Sequence, residues 1–354
     1  MIYITKKMFK AFGKYEDRFS ELRGINPIFN QIEMFTEYPS YNDTIKSLEY
    51  AASIHKEVRR YLQPYLRPGI SFEEIAKIIE TKTEELSNQS KSINKGIGFP
   101  VGLSVNECAA HYHPKPNESV KLGKDDILKI DFGTEANGWI IDSAFTICFD
   151  SKYDNLLTAV NEATNTGIKN IGIDVDIGDW GKQIQEVMES YEISLNNQIY
   201  PIKSIINLGG HNITKGVIHG GIFLPIADLG DTLPKNYKFK EGVYAVETFG
   251  STGNNQVHEN GDSTLFRINP YNNNTITFEP AKKLLYKLKN NFSTLPFTYR
   301  YTDISPSMLN NLIKNNYVHS YPPLCVNKGA FTAQYEHTVY IGKSKYIFSS
   351  NEDY

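Results

Sequence analysis

The chain predicts an α+β domain, on three observations. Two stretches near the start carry apolar residues at helical spacing. The segment from Phe99 to Phe149 switches to strand-like runs around an Asn-Gly pair. Helical patterns and strand-like runs then alternate toward the C-terminus. With 354 residues and 40% hydrophobic content, the chain can bury a substantial core.

Residues 1 to about 40 show weak periodicity and read as an irregular N-terminal arm. A domain over 41–354 follows. "DTIKSLEYAASIHKEVRRYL" places Ile45, Leu48, Ala52, His55, Val58 and Leu62 on one helix face, with Asp43 as the expected N-cap. In "PGISFEEIAKIIETKTEEL", Ser71 and Glu74 form a capping box before Ile75, Ile78 and Ile79. "YDNLLTAVNEATNTGIKNI" and "DWGKQIQEVMESY" predict two more helices. "IKSIINL", "GVYAVETF" and "FTAQYEHTVYIG" predict strands. Between the last two, about 263–318, "EPAKKLLYKLKNNF" and "SPSMLNNLIKNN" predict a helical insertion, the second with Ser305 as N-cap and Pro306 at the first helical position.

The net charge of -3 gives no basic field for DNA or an anionic membrane. Cys108, Cys148 and Cys325 are scattered and lack C-x-x-C spacing, which argues against a disulfide framework or a Cys-rich zinc site and for a reducing compartment. "MIYITKKMFKAFGK" lacks the continuous apolar run of a signal peptide, and no window approaches the roughly 20 apolar residues of a membrane span. The expectation is a cytoplasmic protein.

Asn137-Gly138 is a strong type I′ hairpin signal, because both central residues of that turn need positive φ. With that turn, Asp131 opposes Ala144, and Asp142 shares a face with Ala144 two residues on. The two carboxylates then project from one face as diagonal neighbours, roughly 7–8 Å apart. Flanked by Ile130, Phe132, Ile141 and Phe145, they need a counter-charge to stay ionised, and a divalent cation supplies one. The alternative is one exposed aspartate and one turn carboxylate.

Other metal-competent residues sit inside apolar strands or glycine-rich loops. His211 follows Gly209-Gly210, where the chain can turn tightly. Glu247 lies in line with Val243 and Ala245, and Glu336 lies mid-strand with His337 on the opposite face. Each alone has an ordinary reading as a turn or surface residue. Together with Asp131 and Asp142 they supply four negative charges and one neutral imidazole, which balance two divalent cations. Such donors suit Mn, Fe or Co, with Zn an open alternative.

The motifs "GFPVGLSVNECAAHYHP", "KIDFGTEANGWIIDSAFT", "NLGGHNI", "VIHGG", "YAVETFGSTG" and "YPPLCVNKGAFTAQYEHT" resemble, in order, those of the type 2 methionine aminopeptidases over about residues 95–340. The resemblance implies a pita-bread fold, two pseudo-two-fold αβ halves around a central antiparallel sheet, with the insertion of type 2 members. It implies that Asp131 binds one metal and His211 the other, that Asp142 and Glu336 bridge, and that Glu247 completes the His211 site and takes a proton from a bridging water. It gives His111 a contact to the scissile amide nitrogen and His219 a hydrogen bond to the tetrahedral intermediate. A methionine pocket would draw on Phe99, Ile218, His258 and Tyr321, with Phe249 nearby. Gly209 stands where family members often have asparagine, and His113 where threonine is more usual. No role falls to His55, His113, His319 or His337.

The implied activity is removal of the initiator methionine from nascent chains whose second residue is small, by attack of a hydroxide bridging the metals. The implied protein is a monomer in transient contact with ribosomes. Alternatives are a non-catalytic ribosome- or RNA-associated protein on the same fold and an X-Pro peptidase of the same superfamily. Intact ligand positions argue against the first, and the insertion and "YPPL" against the second.

Overall fold

The structure, a computed structural model, describes residues 41–88, 95–272, 274–301 and 304–349. The arm expected over 1–40 lies outside them. Helices α1 (Tyr41–Leu62) and α2 (Phe72–Ser87) come first, then strands β1 (Lys95–Val105), β2 (Cys108–Ala110), β3 (Leu128–Ala136) and β4 (Trp139–Ile147). Helices α3 (Asp154–Asn170) and α4 (Ile177–Met188) precede β5 (Gly209–Ile213), β6 (Phe223–Pro225), β7 (Gly242–Ser251) and β8 (His258–Glu259). Then follow β9 (Leu265–Ile268), α5 (Glu279–Phe292), β10 (Phe297–Thr298), α6 (Pro306–Lys314), β11 (Val318–Tyr321), β12 (Leu324–Cys325) and β13 (Thr332–Ile341).

The expected stripe of α1, from Ile45 to Leu62, is buried. Asp43 lies inside its first turn rather than at the cap, where a negative charge still opposes the helix dipole favourably. Ser71 caps α2 by accepting the Glu74 N–H at 3.2 Å. At the hairpin, Asn137 and Gly138 take φ of 53° and 84°, and Asp131 opposes Ala144.

The central sheet runs β1-β3-β4-β13-β7-β5-β6, antiparallel throughout. Its order is palindromic in kind. Helices α1 and α2 with strands β1, β3 and β4 form one half, and helices α3 and α4 with strands β13, β7, β5 and the edge strand β6 form the other, meeting where β4 pairs with β13. This is the pita-bread arrangement of two αβ halves around one antiparallel sheet.

Alternation along each strand assigns the two faces. On β3, Phe132 stacks on His55 of α1 with ring centres 3.9 Å apart, and the Thr134 hydroxyl donates to the Ala51 carbonyl at 2.8 Å. On β7, the Thr248 hydroxyl donates to the Val160 carbonyl of α3 at 3.1 Å. Even-numbered positions of these strands therefore meet the helices. Odd-numbered positions, including 131 and 247, point the other way.

Three local expectations change. "IKSIINL" contributes only the Lys203–Ser204 pairing to Gly250–Ser251. Ile202, Ile205 and Leu208 are buried, but Leu208 N–H closes a turn on the Ile205 carbonyl, and Asn207 holds the backbone of Val257 with both ends of its amide. Gly209-Gly210 is not a turn either. It opens strand β5, and the glycines are there because neighbouring strands press close: a Cβ on Gly210 would lie 2.3 Å from the Ala245 carbonyl oxygen. Finally, the stretch expected as a helical insertion carries α5 and α6 together with a three-stranded sheet, β10-β9-β11, around its own core of Phe266, Leu288, Phe297, Leu309 and Leu312. Pro306 opens α6, yet the Ser305 hydroxyl pairs with Ser307 at 2.9 Å instead of capping it.

Gly210→Ala should force β5 from β7 and cost about 1–3 kcal/mol of stability, read by denaturant unfolding. A midpoint equal to that of the parent protein would contradict the close-approach account.

Candidate metal centre

Strand register builds the site. Asp131 opposes Ala144, Ala144 opposes Glu336, and Glu336 opposes Glu247, a continuous row across β3, β4, β13 and β7. Asp142 lies two residues before Ala144. His211 on β5 opposes Ala245, two residues before Glu247. Period-two alternation therefore brings all five side chains to the face turned away from the helices.

There they converge. His211 Nε2 is 3.4 Å from Asp142 Oδ2 and 3.9 Å from Glu247 Oε1. Asp142, His211 and Glu336 each offer a ligand atom, all within 4.8 Å of one another. Burial pushes Asp131 and Glu336 well above the ordinary carboxylate range, with the neighbouring carboxylates adding to it. It pushes Glu247 up to about 8. His211 is driven down to about 4, chiefly by burial, so its imidazole is neutral near pH 7 and able to bind a cation.

Asp131 Oδ1 and His211 Nε2 are buried and make no hydrogen bond among the described residues. Such atoms are costly to bury without a partner. A divalent cation fits both the orphaned atoms and the donor set, oxygen ligands with one imidazole.

The adjoining cavity, about 50 Å³, exceeds the space one water needs. His111 and His219 both line it. Burial holds His111 down to about 3 and His219 well below its usual value, so both are neutral near pH 7. The His219 ring meets His211 edge-on with centres 4.4 Å apart.

The expected pocket residues divide. Phe99 and Ile218 line the cavity, and Tyr321 stands edge-on to His111 at 5.8 Å. His258 does not line it. It is exposed on the two-residue strand β8, paired through its backbone with Cys325. Phe249 does not line it either: its ring is fully buried in the main core, and its carbonyl accepts the Ile205 N–H.

Sequence reading missed two neighbours. Gln334 Nε2 lies 3.5, 3.3 and 3.4 Å from carboxylate oxygens of Asp131, Glu247 and Glu336, so one amide faces three acids. Its spacing two residues before Glu336 was the available signal. His113, given no role, is buried in the cavity wall.

The sequence profile of metallopeptidase family M24 matches residues 46–343. The chain belongs to that family. Within it, the chain is similar to the methionine aminopeptidases 2. It is 45% identical over 326 residues to methionine aminopeptidase 2-1 of Talaromyces stipitatus, covering 88% of this chain and 73% of that one. It is 44% identical over 321 residues to methionine aminopeptidase 2 of Debaryomyces hansenii, covering 88% and 76%. Among solved structures, a thermophilic Arx1 superposes with a TM-score of 0.72 at 17% identity, covering 87% of this chain and 91% of that one. A methionine aminopeptidase from Rickettsia prowazekii gives 0.57 at 17% identity, covering 88% and 98%. At those identities the likeness shows the fold alone. No described helix is long and apolar enough to cross a membrane.

Raised carboxyl pKa values mean that the cation-free site holds protons near pH 7, which a cation must displace. Manganese binding at pH 7 should release protons, read by calorimetry in buffers of different ionisation enthalpy. For Glu247 the folded state binds more protons than the unfolded one between the ordinary carboxylate range and about pH 8, so its contribution to stability falls as pH rises through that window. Manganese should flatten this dependence. Proton uptake, or an unchanged pH slope, would contradict the assignment.

Proposed function

We propose that the protein is a metalloaminopeptidase that removes the N-terminal methionine from chains with a small second residue. The observation that carries this reading is the convergence of Asp131, Asp142, His211, Glu247 and Glu336 beside a cavity whose wall includes Asp131, Asp142, Glu336 and two neutral histidines. The similarity to methionine aminopeptidases 2 supports the choice of substrate.

Asp131 would hold one divalent cation and His211 a second, with Asp142 and Glu336 between them. When bound, such a pair polarises a carbonyl and makes water nucleophilic near neutral pH. Once metal binding has displaced the proton that burial holds on it, the Glu247 carboxylate is suited to accept the proton of the attacking water. His219 can donate a hydrogen bond to the charge that develops on the carbonyl oxygen. His111 Nδ1, which makes no hydrogen bond among the described residues, is free to meet the scissile amide. Phe99, Ile218 and Tyr321 offer the apolar and aromatic surface that an unbranched thioether prefers.

Manganese, cobalt or iron suits these donors, with zinc as an alternative. The same reading places the protein in the cytoplasm, where nascent chains carry their initiator methionine, as a monomer in no more than transient contact with ribosomes. Its net charge of -3 supports a weak rather than a tight attachment to RNA.

Chelator-stripped protein resupplied with manganese or cobalt should release methionine from Met-Ala-Ser and leave an X-Pro dipeptide intact. Release from neither would favour a binding protein on this fold, and cleavage of X-Pro alone a proline-directed peptidase. Glu336→Gln should lose metal and activity together, whereas His219→Ala should keep its metal and lose about 10²-fold in kcat. Equal metal content and equal rates in the two variants would overturn the assigned roles.

A further inference from the structure

His111 adopts φ of 66°, a left-handed conformation that a β-carbon disfavours, so its surroundings must hold it there. Part of the restraint is local. Leu103 N–H donates to the Tyr112 carbonyl at 2.7 Å, Tyr112 N–H donates to the Ser104 hydroxyl at 3.3 Å, and His113 Nδ1 lies 3.1 Å from the His111 carbonyl.

A further restraint comes from the insertion. Arg300 Nε donates to the Pro114 carbonyl at 3.0 Å. Its two terminal nitrogens grip the Glu80 carboxylate of α2 at 2.5 and 2.6 Å, and the Tyr301 hydroxyl donates to the same carboxylate at 2.9 Å. The Arg300 side chain is 5% exposed and that of Glu80 12%. A planar fork on a carboxylate fixes orientation as well as distance. Arg300 cannot swing away from Pro114 without leaving a nearly buried carboxylate without its cation. Leu265 and Pro296 of the insertion also line the cavity, so the same element that carries the arginine forms a wall of the site.

We propose that Arg300 is a positioning residue, through which the insertion locks the 111–114 segment against α2 and keeps the His111 ring in place over the cavity. This rests on the reading of His111 given above. The insertion then serves the chemistry from outside the central sheet, and a buried ion pair that looks like ordinary stabilisation has a catalytic consequence.

The test is a double-mutant cycle on manganese-loaded full-length protein, following methionine release from Met-Ala-Ser. Arg300→Ala should lower kcat about tenfold or more, since small misplacements of a reacting contact are costly, while KM and manganese content stay near those of the parent. In the His111→Ala background, Arg300→Ala should have no further effect on kcat. Arg300→Lys keeps a charge opposite Glu80 but loses the fork and the Nε donor. It should show the same fall in kcat with a thermal midpoint near the parent, and it stands in if the alanine variant does not fold. Full multiplication of the two single effects, or an Arg300→Lys enzyme with parental kcat, would overturn the proposal. A His111→Ala protein as fast as the parent would instead overturn the role of His111 on which it rests.

Discussion

A row of carboxylates lying side by side across adjacent strands is the constraint from which the rest of the structure follows. Asp131, Glu336 and Glu247 occupy one line through β3, β13 and β7, with only Ala144 between the first two. Backbone hydrogen bonding fixes the strands, so these groups cannot drift apart to relieve their repulsion. Buried like charges must take up protons or find a cation. The elevated carboxyls of Asp131, Glu247 and Glu336 are the first response, and a divalent metal is the second.

The architecture keeps this tension in place. Helices from both halves cover the rear of the sheet with apolar and threonine contacts, so the strands are clamped from behind while their front face is left for chemistry. Each half contributes ligands: Asp131 and Asp142 come from the first, His211, Glu247 and Glu336 from the second. Neither half holds a complete set, which ties the site to the β4–β13 seam where they join. In front, the short strand β2 delivers His111 and the insertion supplies Leu265, Pro296 and Arg300. The cavity is thus a joint product of the sheet, one strained loop and an appended subdomain.

Much of this was legible in the chain because some signals are local. Asn137-Gly138 sets the hairpin, and a period of two then places Asp131 and Asp142 on one face without further information. The pairings of Glu336 with Ala144 and Glu247 are long-range, and no local pattern announces them. Metal-competent residues set inside apolar runs pointed to His211, Glu247 and Glu336, and the charge balance then joined them to the two aspartates. Where local patterns misled, tertiary contacts overrode them. The apolar run before Gly209 is buried as a turn, and Asp43 falls inside a helix whose start lies further back. Gln334 escaped notice because an amide has no charge to balance, although its spacing from Glu336 already placed it on the ligand face. Arg300 and Glu80 are far apart in sequence, and nothing local links either one to the His111 loop.

The central claim is that five side chains from five places in the chain hold a pair of divalent cations in one cavity. Anomalous diffraction from crystals soaked in manganese measures this most directly. The account predicts two strong peaks enclosed by Asp131, Asp142, His211, Glu247 and Glu336. An empty cavity at saturating manganese, or peaks only at other surfaces, would contradict it.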